Sequence, residues 1–176
     1  GGGTYASLYY EYGLTPRLTF GIDAGRDLLF SGTSAIVFLR YPVFSGGSNK
    51  FAVELGLGSA DSGGRSVFTV RPGLSWGRGY TAAWGTGWMG VDATYQLRSD
   101  GTGLGKVDAT IGANHANGAL SMLQLQFERP TGKPHEVAIA PSHVFKLSDR
   151  TYLQLGLRHQ IRTDVTSAKL AIWVNF

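Results

Sequence analysis

The sequence predicts an all-β protein, an antiparallel up-and-down barrel, on three observations. Apolar and polar residues alternate in segments that recur at intervals of roughly 13 to 20 residues. Short clusters of Gly, Asp, Asn, Ser and Pro separate these segments and favour tight turns. No segment of helical period competes, and 176 residues suit a single domain, residues 1–176. Because successive hairpins give a meander, which closes most simply on itself, a barrel is the expected architecture.

The alternating segments number about eleven. In residues 51–57, for example, Phe51, Val53, Leu55 and Leu57 alternate with Ala52, Glu54 and Gly56. Glycine makes up 26 of 176 residues, about twice the usual share of about 7%, which fits turns and close strand approach in a curved sheet. We predict strands that begin near Thr4, Arg17, Thr33, Phe51, Arg65, Thr86, Leu104, Gly118, Pro134, Arg150 and Ser167.

Alternation alone does not tell whether the apolar face meets a protein core or lipid. Two features favour lipid. The charged residues, 16% of the chain, are few for a surface in water, and the polar face carries mainly Gly, Thr, Gln and single charges. Aromatic residues lie mainly toward strand ends, as in the interfacial girdles of a membrane barrel. No stretch approaches the roughly 18 apolar residues of a membrane helix, so any spanning structure must be a closed barrel.

The last predicted strand carries apolar residues at every second position and ends in an aromatic one: Leu170, Ile172, Val174 and Phe176. This pattern resembles the terminal assembly signal of Gram-negative outer-membrane β-barrel proteins. The hairpin in residues 7–21 resembles one that recurs in small proteobacterial barrels, including a group associated with aromatic-degradation operons. The resemblance implies a transmembrane β-barrel in the bacterial outer membrane. Its implied partners are outer-membrane lipid, lipopolysaccharide and, during insertion, the barrel-assembly machinery.

The strand count raises a topological question, because single-chain bacterial barrels have an even number of strands. Either a strand precedes Gly1, or the region 76–88 is divided wrongly. Residues 5–12 already form a full predicted strand, which favours the first reading. The chain also starts without Met or a signal segment, which fits a processed or trimmed chain. We expect about twelve strands in the complete barrel, with about ten as the alternative.

Polar parity defines a set of charged side chains that we predict to face the interior and line a pore. They are Glu11, Arg17, Asp23, Arg40, Glu54, Arg71, Asp92, Arg98, Lys106, Asp108, Glu128, Glu136, Arg158 and Lys169. Such charges either line a water-filled path or pair into a plug. Small inward residues such as Gly21 and Gly56 leave room, so the leading prediction is a porin-like passive channel for ions or small polar solutes. The alternatives are a structural or docking barrel with a closed lumen, which binds lipopolysaccharide or a protein partner, and then a lipid-modifying enzyme.

The chain offers no obvious catalytic centre. Acyl chemistry needs a hydroxyl nucleophile beside a histidine base, but the adjacent Ser142 and His143 of one strand point to opposite faces. His115 lies at a turn, His135 follows a turn and His159 has lipid-facing parity, so a cross-strand Ser/His pair stays open. We expect no enzyme activity, no cofactor and no metal, because no ligand spacing is recognisable. The net charge of +4 is spread singly along the chain, which predicts no nucleic-acid partner.

Overall fold

The structure is a computed structural model that describes residues 5–27, 33–62, 64–83 and 85–174. These residues form eleven strands and no helix, so no helix within these ranges has the length and apolar character to cross a membrane. The strands are β1 (Tyr5–Thr15), β2 (Leu18–Asp27), β3 (Thr33–Gly46), β4 (Asn49–Ser62), β5 (Arg65–Ala82), β6 (Gly85–Arg98), β7 (Gly103–Asn114), β8 (Leu120–Pro130), β9 (Glu136–Lys146), β10 (Thr151–Gln160) and β11 (Val165–Val174).

Each strand pairs antiparallel with the next one along the chain, so the order of strands in the sheet follows the sequence. This confirms the predicted up-and-down arrangement and the count of eleven strands. The predicted strand starts lie within two residues of the observed ones, except that Thr4 lies outside the described residues. Within the described ranges, β1 and β11 each pair on one side only, and the sheet is not closed.

The region 76–88, which left the strand count open, is a single hairpin. It consists of the end of β5 and the start of β6, whose register pairs Trp76 with Val91 and Gly79 with Trp88. β5 is the longest strand of the described residues, with 18 residues. The described part of this region therefore holds no further strand.

The two faces of the sheet differ sharply in chemistry. We call the face that carries the buried residues Ile36, Phe38, Glu54 and Arg71 the inner face, and the opposite face the outer face. Large apolar side chains of the outer face are exposed, among them Val37, Leu39, Val53, Leu55, Leu57, Leu74, Leu97, Ile111, Leu123, Leu125, Leu155, Leu157, Leu170, Ile172 and Val174. A protein folded in water places such residues inside. Of the predicted assembly signal, Phe176 lies outside the described residues.

Curvature of the sheet, and not a second layer, buries the inner face. The described residues form one sheet with no layer packed upon it. Side chains of strands that are not neighbours nevertheless meet on this face: Arg71 of β5 reaches Asp23 of β2, and Arg158 of β10 reaches Gln126 of β8. Small residues permit the close approach, since Gly21 lies directly beneath the Phe38 ring. The sheet is therefore curled toward its polar side.

Gly58 offers a test of this packing, because it lies on the inner face opposite Ile36. A Cβ at Gly58 would overlap the Ala35 carbonyl oxygen and lie 2.8 Å from the Ile36 Cα, so the backbone would have to shift. We expect Gly58→Ala to lower the free energy of unfolding by about 1–3 kcal/mol. Denaturant unfolding in detergent micelles measures it. The control is Gly77→Ala, where the nearest atom is 3.9 Å away; equal losses in the two variants would contradict this packing.

Candidate functional site

The predicted inward-facing charges separate into two groups on the inner face. Glu11, Asp23, Arg40, Glu54 and Arg71 of β1 to β5 are joined by ion pairs, and we call them the arginine network. A second group lies on β6 to β11 and consists of Asp92, Arg98, Lys106, Asp108, Glu128, Glu136, Arg158 and Lys169. Arg17 belongs to neither group, because it lies exposed in the turn between β1 and β2.

Glu54 is the centre of the arginine network. One carboxylate oxygen accepts a hydrogen bond from Arg40 at 2.9 Å and the other accepts one from Arg71 at 2.8 Å. Arg40 also pairs with Glu11, and Arg71 pairs with Asp23 at 2.5 Å. The Glu54 and Arg71 side chains are only 4% and 7% exposed. Because charges withdrawn from water to this extent need partners, the network holds strands β1 to β5 together on this face.

An aromatic residue underlies the arginine network. The guanidinium carbons of Arg40 and Arg71 lie 5.3 and 5.5 Å from the centre of the Phe38 ring, within the range of cation–π attraction. The Tyr9 ring stacks against Phe38 with centroids 5.9 Å apart, and its hydroxyl donates to Glu11. Phe38 itself is 2% exposed. Aromatic and ionic side chains thus fill this part of the inner face.

The second group has Glu128 at its centre. Lys106 and Arg158 both pair with Glu128, at 3.2 and 3.7 Å, yet their side chains are 41% and 26% exposed. Asp92 and Asp108 are directly opposite each other on β6 and β7. Lys169 of β11 is near enough to Asp108 of β7 for their charges to interact, across four strands of the sheet. Charges of both signs therefore lie close to one another on this half of the inner face.

Near the strand ends, charged side chains are held by hydrogen bonds with backbone or uncharged groups. Glu136, at the start of β9, accepts a hydrogen bond from the backbone of Arg162 at 3.2 Å. Arg98, at the end of β6, lies next to Gln96. In the turn after β6, hydrogen bonds from the Ser62 and Thr102 hydroxyls and from the Thr102 amide lower the pKa of Asp100 to about 2. Asp100 thus stays ionised and links two neighbouring turns.

The outer face holds a polar cluster that sequence reasoning missed. Ser121 lies between two imidazoles: its Oγ is 2.8 Å from His115 Nε2 and 2.9 Å from His143 Nδ1. The sequence placed both histidines but did not single out Ser121. The signal that could have found Ser121 is the alternation of residues in β8. Ser121 lies two and four residues before the outward Leu123 and Leu125, so its hydroxyl is on the outer face with them. As predicted, Ser142 points the other way and accepts from Gln154 on the inner face at 2.9 Å.

Among the residues that the structure describes, no three or more histidine, cysteine, aspartate or glutamate side chains form a group that could hold an ion. The inner-face carboxylates are instead engaged with guanidinium and ammonium groups. Glu54 and Glu128 are therefore held in ion pairs on this face.

Glu54→Gln tests the arginine network. It removes the charge shared by Arg40 and Arg71 and leaves part of their buried charge unpaired, so we expect a loss of about 3 kcal/mol in the free energy of unfolding. Denaturant unfolding in detergent measures it. The control Lys146→Ala breaks the pair with Asp149, whose side chain is 98% exposed, and we expect less than about 1 kcal/mol. A loss no larger for Glu54→Gln than for the control would show that the network does not stabilise the fold.

Comparison of this chain with protein-family models, with curated proteins and with solved structures found no match. No relative therefore supplies a residue role or a substrate. What the molecule can do follows from its own two faces: an inner face of paired and partly open charges, and an outer face of exposed apolar side chains with one Ser–His cluster near the turn between β7 and β8.

Proposed function

We propose that this chain forms a transmembrane β-barrel of the bacterial outer membrane, which acts as a small passive channel for ions or small polar solutes. The observation that carries the proposal is the direction of the side chains. Leu55, Leu125 and Leu157 are 56%, 50% and 52% exposed on the outer face, while Glu54 and Arg71 are buried on the inner face. A hydrocarbon environment accounts for both, because it covers the apolar side chains and leaves a polar interior.

The proposal requires that the sheet be closed in the membrane. The free edges of β1 and β11 would each present unpaired N–H and C=O groups, and each such group costs several kcal/mol in hydrocarbon. The same edges in water would invite aggregation. The curl toward the inner face already brings non-adjacent strands together, as the contact between Arg71 and Asp23 shows. We therefore propose that both edges are paired in the membrane.

The proposed path for solutes runs along the second group of charges. Lys106, Glu128 and Arg158 are 41%, 31% and 26% exposed, in contrast to the buried Glu54 and Arg71. Asp92, Asp108 and Lys169 add fixed charges of both signs along the same side. Gly90, opposite Gly77, adds no side chain to this part of the interior.

A closed structural barrel is the second candidate, and the arginine network favours it. Arg40, Arg71 and Glu54 with the Phe38 ring beneath them occupy the inner face of β3 to β5 as a plug would. In this case the function would lie in docking, to lipopolysaccharide or a protein partner. Conductance separates the two candidates, because a plugged lumen passes no current.

Adjacent residues of β8 test the membrane placement, since the chain has no cysteine of its own. With the protein inserted in lipid vesicles, we expect a water-soluble maleimide to label Gln126→Cys on the inner face. Leu125→Cys on the outer face should resist it and should instead react with a lipid-soluble reagent. Mass spectrometry measures the labelled fraction of each variant and so shows which face meets water. Labelling of Leu125→Cys by the water-soluble reagent would contradict a lipid-facing outer surface.

Single-channel recording in planar bilayers tests whether the proposed solute path passes Asp92 and Asp108. The double variant Asp92→Asn/Asp108→Asn leaves Lys106, Arg158 and Lys169 in excess, so we expect the reversal potential to move toward anion preference. A charge about 4 Å from an ion is worth about 1 kcal/mol in water, or about fivefold in permeability ratio. Arg78→Gln, exposed near the end of β5, is the control for a charge off the path.

Two outcomes of the recording would count against the channel. No current above that of the empty bilayer, with folded protein inserted, would favour the closed barrel. An unchanged reversal potential in the double variant, with current flowing, would show that the solute path does not pass these carboxylates.

A further inference from the structure

The Ser–His cluster of the outer face has the composition of a nucleophilic centre. Ser121 is the second residue of β8, and its register partner on β9 is His143. His115 lies in the turn that follows β7 and returns to the same hydroxyl. Three segments of chain therefore converge on one oxygen, with ring nitrogens at 2.8 and 2.9 Å. A serine hydroxyl becomes a nucleophile when an imidazole within such reach removes its proton.

Both imidazoles are held in place. The His143 ring meets the Phe145 ring edge-on with centroids 4.5 Å apart, and the His115 ring lies 5.5 Å from that of His143. The turn that carries His115 is fixed by its backbone amide, which donates to Ala119 at 2.9 Å, and by Gly118, which donates back to His115 at 3.0 Å. The cluster is thus built from a hairpin turn and two hydrogen-bonded strands.

The Ser121 hydroxyl has a single proton, so the His115 and His143 rings cannot play the same role. Ser121 can donate to one imidazole only, so the other ring donates its own N–H to Oγ. His115 is exposed in the turn beyond the end of β7, whereas His143 is half-buried within β9. An imidazolium is better solvated in the turn than within the strand. We therefore assign His115 Nε2 as the proton acceptor and His143 as a positioning residue that holds the hydroxyl.

An apolar groove of about 610 Å³ adjoins the hydroxyl. Its outer-face lining includes Ile111, Leu123, Pro141 and Leu157 as well as Ser121 and His143. The groove is open along the outer face, on which Leu123 and Leu157 are about half exposed, at 47% and 52%. An extended hydrocarbon chain fits such a groove, because apolar contact along its length is what the lining offers.

We propose that Ser121 is the nucleophile of a lipid esterase on the outer face, with long-chain fatty acyl esters as its substrates. This activity goes beyond the proposed channel and rests on the same lipid-facing outer surface. Ser121 Oγ attacks the ester carbonyl while its proton passes to His115. The carbonyl–oxygen bond then breaks, the alcohol leaves with that proton, and an acyl-Ser121 ester remains. Water, activated by His115, hydrolyses this ester and returns the free fatty acid and the serine.

The experiment uses the folded chain in detergent micelles and in vesicles, with two readouts. A fluorophosphonate, which reacts with activated serines and loses fluoride, should label Ser121, as peptide mass spectrometry reports. Release of fatty acid is measured from a 4-nitrophenyl fatty acyl ester in micelles, from vesicles of phosphatidylethanolamine and phosphatidylglycerol, and from vesicles that contain lipopolysaccharide. The two vesicle arms decide whether the ester belongs to a phospholipid or to lipopolysaccharide.

The variants separate catalysis from a structural role of the cluster. Ser121→Ala should abolish labelling and hydrolysis, and His115→Gln should lower both by about 100-fold or more. His143→Asn keeps an N–H near the position of Nδ1 and should retain most of the activity. Ser75→Ala is the matched control, because Ser75 lies on the inner face of β5 opposite Asp92 and is not among the residues that line the groove; it should behave like the parent chain.

Two results would overturn the proposal. One is folded parent protein that neither reacts with the fluorophosphonate nor releases fatty acid in any arm. The other is Ser121→Ala with undiminished hydrolysis. The micellar ester assay needs neither a membrane nor an open lumen, so failure of the channel in planar bilayers and failure of the esterase are read separately.

Discussion

The outer apolar face is the constraint on which the rest of the structure depends. A single sheet with no second layer exposes side chains such as Leu55, Leu170 and Ile172 without any part of the described chain to cover them. Covering apolar surface is worth about 25 cal/mol per Å², so a face of this size needs an apolar surrounding. In the membrane placement that we propose, lipid supplies it. Because lipid forbids unpaired backbone groups, that placement requires a closed sheet with a polar interior.

Side chains of one sheet alone must fill the space on its inner face. Strands β1 to β5 and strands β6 to β11 do this differently. In β1 to β5 the buried Glu54 and Arg71 are packed on the Phe38 ring, and each charge has a partner. In β6 to β11 the ion pairs centre on Glu128, where the Lys106, Glu128 and Arg158 side chains are 41%, 31% and 26% exposed. The same polar parity therefore yields a buried pair, Glu54 with Arg71, in one half of the sheet and a partly exposed cluster in the other. Under the proposed function, the buried pair stabilises the fold and the exposed cluster lines the solute path.

Local periodicity explains why the strands were predictable. Short turns and alternation fix each strand by its own residues, so ten of the eleven starts agree with the observed ones to within two residues, and the eleventh, Thr4, lies outside the described residues. The contacts within the site could not be read in this way. Arg71 meets Asp23 because the sheet curls across three strands, and curvature is not encoded in parity. Arg17 shows the limit at a strand boundary, where a shift by one residue moves a side chain into a turn.

The Ser–His cluster was hidden for the same reason, since its members are distant in sequence and meet only through register. Ser121 and His143 are opposite each other on β8 and β9, and His115 returns through the turn. In β9, Ser142 is hydrogen-bonded to Gln154 on the inner face, and the next residue, His143, contacts Ser121 on the outer face. Because a strand sends neighbours to opposite sides, the hydroxyl and imidazole groups of the outer face and the fixed charges of the inner face can be altered one residue at a time.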